Sequence, residues 1–161
     1  MSKYFYLIAL GSNQRHGRYG APRAILGHVL GNWSDELLAS SPIVSSAPLG
    51  PSKRTYANAA AIIKTKMEPP ELLDHLKAIE AAFGRRNGGR RWQARVLDLD
   101  IILWSGGFWS TADLAIPHPA FRDRTFVLRP ANTIAADWRD PLTGLSVKHL
   151  KARLDRKRRA A

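Results

Sequence analysis

No cysteine occurs in the chain. A disulfide framework, a thiolate metal site and a cysteine nucleophile are all excluded by that one absence. Carboxylates are scarce too: 13 acidic residues stand against 25 lysines and arginines, a formal charge of +12. The partners expected are therefore anionic, whether nucleic acid, a membrane surface or a polyphosphate. No apolar run is long enough to span a bilayer. The leading YFYLIAL at 4–10 is too short, and it lacks the basic lead and small-residue cleavage site of a secretory signal, so a cytoplasmic protein is expected. Neither GxxxxGK[ST] nor GxGxxG is present, so any phosphate site must be built some other way than a Walker or Rossmann loop.

What is there suits one globular domain: 161 residues, 45% hydrophobic and 24% charged. Residues 1–150 are expected to form it, with 151–161 as a basic tail. The stretch KARLDRKRR at 151–159 reads as a solvated appendage. Residues 4–10 read as a buried strand that ends at Gly11-Ser12-Asn13, a turn assigned a structural role. Pro22 opens a helix through Trp33, with Ile25, Leu26, Val29 and Leu30 on one face. A second strand is expected over Leu37–Ser46, interrupted by Pro42, and a third over Tyr56–Lys66. The strongest helical pattern spans Glu68–Phe83 and stops at Gly84. After the glycine-rich cationic loop RRNGGRRWQAR comes a strand over Val96–Trp104, then a turn at Gly106-Gly107 into a short strand around Phe108-Trp109. A helix from Arg122, a turn at DPLTG and a last helix from Ser146 complete the chain. The order strand, helix, strand, strand, helix, strand predicts an α+β, ferredoxin-like antiparallel sheet with helices on one face, leaving the other face free for extra elements or a ligand.

The chemistry concentrates in LDLDII, residues 97–102. Side chains alternate along a strand, so Asp98 and Asp100 share one face about 7 Å apart while Leu97, Leu99 and Ile101 point to the core. Carboxylates so placed repel unless a cation lies between them, and a hard ion such as Mg²⁺ with phosphate oxygens in its shell is one solution. Two solvated aspartates paired to nearby arginines would be another. Arg85, Arg86, Arg90, Arg91 and Arg95 lie just ahead and supply planar cations suited to phosphate, which favours a nucleotide polyphosphate site.

Several motifs occur together in this order: GSN at 11–13, PLG at 48–50, Tyr-x-Asn at 56–58, Glu80, GRR…RW…R…LDLDII at 84–102 and PHPAF…R-x-F at 117–126. In them the chain resembles the 6-hydroxymethyl-7,8-dihydropterin pyrophosphokinases of folate biosynthesis, over roughly residues 4–140. The resemblance implies a ferredoxin-like fold and transfer of pyrophosphate from ATP to the pterin hydroxymethyl group, with release of AMP. It implies two Mg²⁺ ions held by Asp98 and Asp100, with Arg85 and Arg95 joining the aspartates as catalytic groups. Glu80, Arg85, Arg95, Ile101, His118 and Arg124 correspond to ATP-binding positions. Ser46, Leu49, Tyr56, Asn58, Trp92, Asp98 and Phe126 correspond to pterin-binding ones, Tyr56 and Phe126 as the two sides of an aromatic sandwich. The Asn58 amide can both donate and accept, as a pterin's pyrimidine edge requires.

The chain departs from the family pattern at Asn87, where an arginine is common, and at Gln93, where a small residue is. Both lie in the cationic loop. Two other readings stand beside the enzyme: a nucleic-acid-binding module on the same fold, and a catalytically weakened homologue. No RNP-like motif supports the first. A monomer acting on small molecules is expected, with no membrane and no specific nucleic-acid partner.

Overall fold

Alternation along the first strand sends Tyr6, Ile8 and Leu10 to one side of a sheet and Leu7 and Ala9 to the other, and all five are buried. A strand buried on both sides belongs in a sheet's interior. In the computed structural model, which describes residues 3–46, 55–84 and 95–160, this strand is β1 (Tyr4–Ser12), between β4 (Tyr56–Thr65) and β5 (Asp98–Trp104). β2 (Glu36–Ser40) and β3 (Val44–Ser46) both pair with the far side of β4. Every pairing is antiparallel, in the order β2-β4-β1-β5. With α1 (Pro22–Gly31) after β1 and α2 (Pro69–Ala82) after β4, this is the ferredoxin-like arrangement the sequence predicts.

The single strand expected over 37–46 is two strands. Pro42 cannot donate to the ladder, and Ser41 substitutes for it: its hydroxyl accepts the Ala60 N–H at 2.8 Å while its own N–H donates to the Ala60 carbonyl at 2.8 Å. β4 thus keeps its bonds across the break.

Pro22 and Pro69 open α1 and α2, where a missing N–H is harmless. Ile25, Leu26 and Val29 of α1 and Leu72 and Leu76 of α2 pack on Tyr6, Ile8, Leu10, Leu99 and Ile101. The opposite face, left free for extra elements or a ligand, takes extra elements. A 3₁₀ turn (Phe121–Asp123), α3 (Thr125–Ala135) and α4 (Val147–Ala160) lay Phe121, Val127, Leu128, Val147, Leu150 and Leu154 against Leu7, Ala9, Ala60, Ile62 and Ile102. The solvated tail is corrected in part: residues 151–160 continue α4 and Leu154 is buried, while residues 156–160 are exposed. Val147, Leu150 and Leu154 recur at helical spacing, an apolar stripe that the surrounding cations hide in the sequence.

Smaller shifts have local causes. β5 begins at Asp98 rather than Val96. α3 begins at Thr125 rather than Arg122, because Arg122 sits in the 3₁₀ turn and forks onto the buried Asp140 carboxylate at 2.6 and 2.8 Å. Phe108 precedes the short strand β6 (Trp109–Ser110), which pairs with β7 (Ala115–Ile116), and it is exposed.

Candidate active site

The face of the sheet under α3 and α4 changes character along its length. Leu7 and Ile62 are apolar and buried; two residues along, Ala9 pairs with Ala60 on one side and Asp100 on the other. Two residues further, Gly11 pairs with Asn58 and Asp98. Period-two alternation puts these side chains on one face, so the apolar floor narrows through alanines to a polar end where Asn58, Asp98 and Asp100 surround a glycine. Glycine suits this position. A Cβ at position 11 would stand 3.2 Å from Asn58 Oδ1, so the missing side chain is the space the amide occupies. Tyr56 lies on the same face two residues before Asn58, and Ser46 is its cross-strand partner.

Cations meet the carboxylates at this end. Arg95 Nη1 donates to Asp98 Oδ1 at 3.2 Å. Arg95 is held from behind: its N–H donates to Asn13 Oδ1 at 2.7 Å, and Asn13's N–H donates to its carbonyl at 3.0 Å. This pair of hydrogen bonds ties Arg95 to Asn13 just past the end of β1, and Gly11 and Ser12, read from the sequence as part of a turn, belong to the strand. His118 follows a cis Ile116–Pro117 bond and donates its own N–H to the Ile102 carbonyl at 3.0 Å. Its Nδ1 accepts the Ala120 N–H at 3.1 Å, which leaves the ring proton on Nε2, 4.0 Å from Asp100 Oδ2. Burial, then the nearby Arg124 charge, lower the His118 pKa, and Asp98 opposes them in part. The imidazole is therefore a neutral donor at neutral pH. Arg124, immediately before α3, places its guanidinium 5.5 Å from the centre of the Phe126 ring, and Phe126 is half exposed.

Asp98, Asp100, Arg95, His118 and Arg124 are thus brought together, with Asn58, Tyr56 and Ser46 along the same face. Glu80 is not on it. Its carboxylate is buried at the end of α2 and its Oε2 accepts the Leu99 N–H at 2.8 Å, closing the outer edge of β5. Ile101 likewise sends its side chain into the α1/α2 core. Arg85, Trp92 and Leu49, with Asn87 and Gln93, lie outside the described residues. The sequence carries little sign of the floor of Ala9, Gly11 and Ala60: two small residues at alternate positions of β1 and one alanine of β4.

Among the described residues no three His, Cys, Asp or Glu side chains cluster as a complete protein cage for a metal. A pair of carboxylates suits a hard cation that shares its shell with water and phosphate, as Mg²⁺ does. Paired acids beside a guanidinium and a neutral imidazole could hold a polyphosphate and its cation.

The comparisons agree with that class. The family model for 7,8-dihydro-6-hydroxymethylpterin-pyrophosphokinase matches residues 7–136. The 2-amino-4-hydroxy-6-hydroxymethyldihydropteridine pyrophosphokinase of Haemophilus influenzae is 40% identical over 134 residues, covering 81% of this chain and 81% of its own. The Methylorubrum extorquens protein of the same name is 34% identical over 153 residues, 92% of each chain. The Synechocystis protein of that name is 40% identical over 110 residues; they make up 68% of this chain but only 56% of that longer protein. Among solved structures, the Plasmodium falciparum HPPK-DHPS superposes with a TM-score of 0.71 at 11% identity, over 94% of this chain and 44% of that one, which speaks to the fold. The chain belongs to the 7,8-dihydro-6-hydroxymethylpterin-pyrophosphokinase family.

Proposed function

We infer that the chain carries out its family's reaction, transfer of the β,γ-pyrophosphoryl unit of ATP to the hydroxymethyl oxygen of 6-hydroxymethyl-7,8-dihydropterin with AMP as leaving group, in folate biosynthesis. The observation that carries this reading is the polar end of the sheet, where Asp98 and Asp100 face one way beside Asn58 across a floor of glycine and alanine. Asp98 and Asp100 would hold the magnesium, two ions as the family resemblance implies, and magnesium when bound supplies charge neutralisation at the triphosphate and a more acidic attacking hydroxyl. Arg95, Arg124 and the Nε2–H of His118 donate to phosphate oxygens, which fixes the chain of phosphates in line with the acceptor. Asn58 reads the pyrimidine edge of the pterin, and Tyr56 and Phe126 supply flat apolar faces. The half-exposed Phe126 ring fits that part, since it contributes little to the core. Glu80 serves ATP only indirectly, by holding the outer edge of β5. By strand alternation the Ile101 backbone faces that same edge, where it can meet a purine.

A nucleic-acid platform on the sheet is not favoured, because helices cover both faces and no open row of aromatics remains among the described residues. Incubating the purified protein with MgATP and 6-hydroxymethyl-7,8-dihydropterin, with no nucleic acid present, should release AMP in step with pterin pyrophosphate. A folded protein that releases none sinks the reading.

A further inference from the structure

Arg95 occupies a carboxylate that the proposed reaction needs for a cation. Its guanidinium touches Asp98 Oδ1 at 3.2 Å, and the pair is about one-third exposed on both sides. A pair so exposed contributes little to stability, so holding the fold together does not explain it. The root of Arg95 is fixed by both bonds to Asn13, while only its side chain reaches across to Asp98. A fixed root with a free arm suits a group that changes partners.

We propose that Arg95 is an exchange residue: it neutralises Asp98 in the empty site and passes to the triphosphate when a divalent cation takes the carboxylate. This rests on the proposed function above and deepens it. A dication and a guanidinium on the same carboxylate repel each other, and the arriving phosphates offer the guanidinium a stronger bidentate partner. Each charge keeps a counter-charge throughout: carboxylate with guanidinium and phosphate with metal before, carboxylate with metal and phosphate with guanidinium after. In consequence the bare cation competes with Arg95 and binds weakly, and nucleotide, by drawing Arg95 away, strengthens metal binding. Reciprocity makes metal strengthen nucleotide binding by the same factor. The site is thereby kept from filling with metal before nucleotide arrives.

The test needs no turnover. Binding of Mn²⁺ alone, followed through the paramagnetic signal of the free ion, should be about fivefold to tenfold tighter in Arg95→Gln than in the parent protein. The Mg²⁺ complex of α,β-methylene ATP should bind the same variant at least about tenfold more weakly. In an Asp98→Asn background, Arg95→Gln should change Mn²⁺ affinity by less than about twofold, because the contested carboxylate is gone. Thermal unfolding confirms that each variant is folded. Mn²⁺ affinity unchanged by Arg95→Gln, or an equal gain in the Asp98→Asn background, overturns the exchange while leaving the proposed reaction intact. If Asp98→Asn binds the magnesium nucleotide as tightly as the parent protein, the metal assignment itself has failed and the exchange with it.

Discussion

At the scale of single residues, the site depends on one missing side chain as much as on those present. Gly11 leaves room for the Asn58 amide, and a Cβ 3.2 Å from Oδ1 would shift that amide by a few tenths of an ångström. Gly11→Ala should therefore weaken pterin binding about tenfold while shifting unfolding free energy by less than about 1 kcal/mol, since the crowding falls on a polar side chain and not on the core. Calorimetric titration with the pterin and urea unfolding separate the two effects, and unchanged pterin affinity would remove Asn58 from the binding edge. Phe126→Ala should cost pterin affinity but not affinity for an ATP analogue, with stability nearly unchanged because the ring is already 51% exposed. Equal losses for both ligands would make the ring a general support. Asp98→Ala and Asp100→Ala should each lower kcat by more than about a hundredfold in a folded protein, and near-normal turnover in either would end the metal assignment. The acid pair was legible in the sequence because alternation alone puts 98 and 100 on one face. The floor beneath it was not, since alanine and glycine carry no chemistry until strand register sets them in one row. Glu80, which family likeness marks for ATP, also accepts the Leu99 N–H, a bond to the strand that no motif announces.

Elements fall into those whose pattern stands in the open and those masked by charge. β1, β5 and α2 read directly from the sequence because their apolar periods are clean. β2 and β3 merged into one because a proline inside a strand signals a break without showing that a serine bridges it. α4 was missed beyond residue 150 because Lys151, Arg153, Arg156, Lys157, Arg158 and Arg159 surround its one later leucine, and a cationic surround reads as solvent-facing. Burial of Leu150 and Leu154 reverses that reading. Leu154→Ala should destabilise the fold by about 2–3 kcal/mol, while Arg156→Ser on the exposed side should cost less than about 0.5 kcal/mol. Removing residues 151–160 should lower the urea midpoint by at least as much as Leu154→Ala. A truncated protein with the parent's midpoint would mean that α4 adds nothing beyond Leu150.

For the whole molecule, an excess of positive charge makes the few buried carboxylates count for more. Asp140 is fully buried in the connection between α3 and α4, where it accepts from Arg122 Nε and Nη2, the Thr143 hydroxyl and the Leu142 N–H. Burial alone would raise its pKa. The bonds from Arg122, Thr143 and Leu142 outweigh burial and hold it below the usual aspartate value of 3.8. A carboxyl whose pKa is depressed by folding stabilises the native state above its unfolded pKa and loses that contribution as pH falls through the folded one. The clamp is thus complete at neutral pH and weakens as the pH falls below the ordinary aspartate value of 3.8, where the remaining carboxylates also neutralise and the chain's positive charges repel unopposed. Asp140→Asn should cost about 3 kcal/mol at pH 7, because it strips a partner from Arg122, whose side chain is only 24% exposed, and removes an acceptor from the turn. Urea unfolding at pH 7, 5 and 3 checks the sign. The gap between parent and variant should hold from pH 7 to 5 and narrow toward pH 3, where the pH falls below the ordinary aspartate value of 3.8 and the unfolded chain takes up a proton that the clamped carboxyl does not. A gap constant down to pH 2 would show that the bond geometry around Asp140 matters and its charge does not.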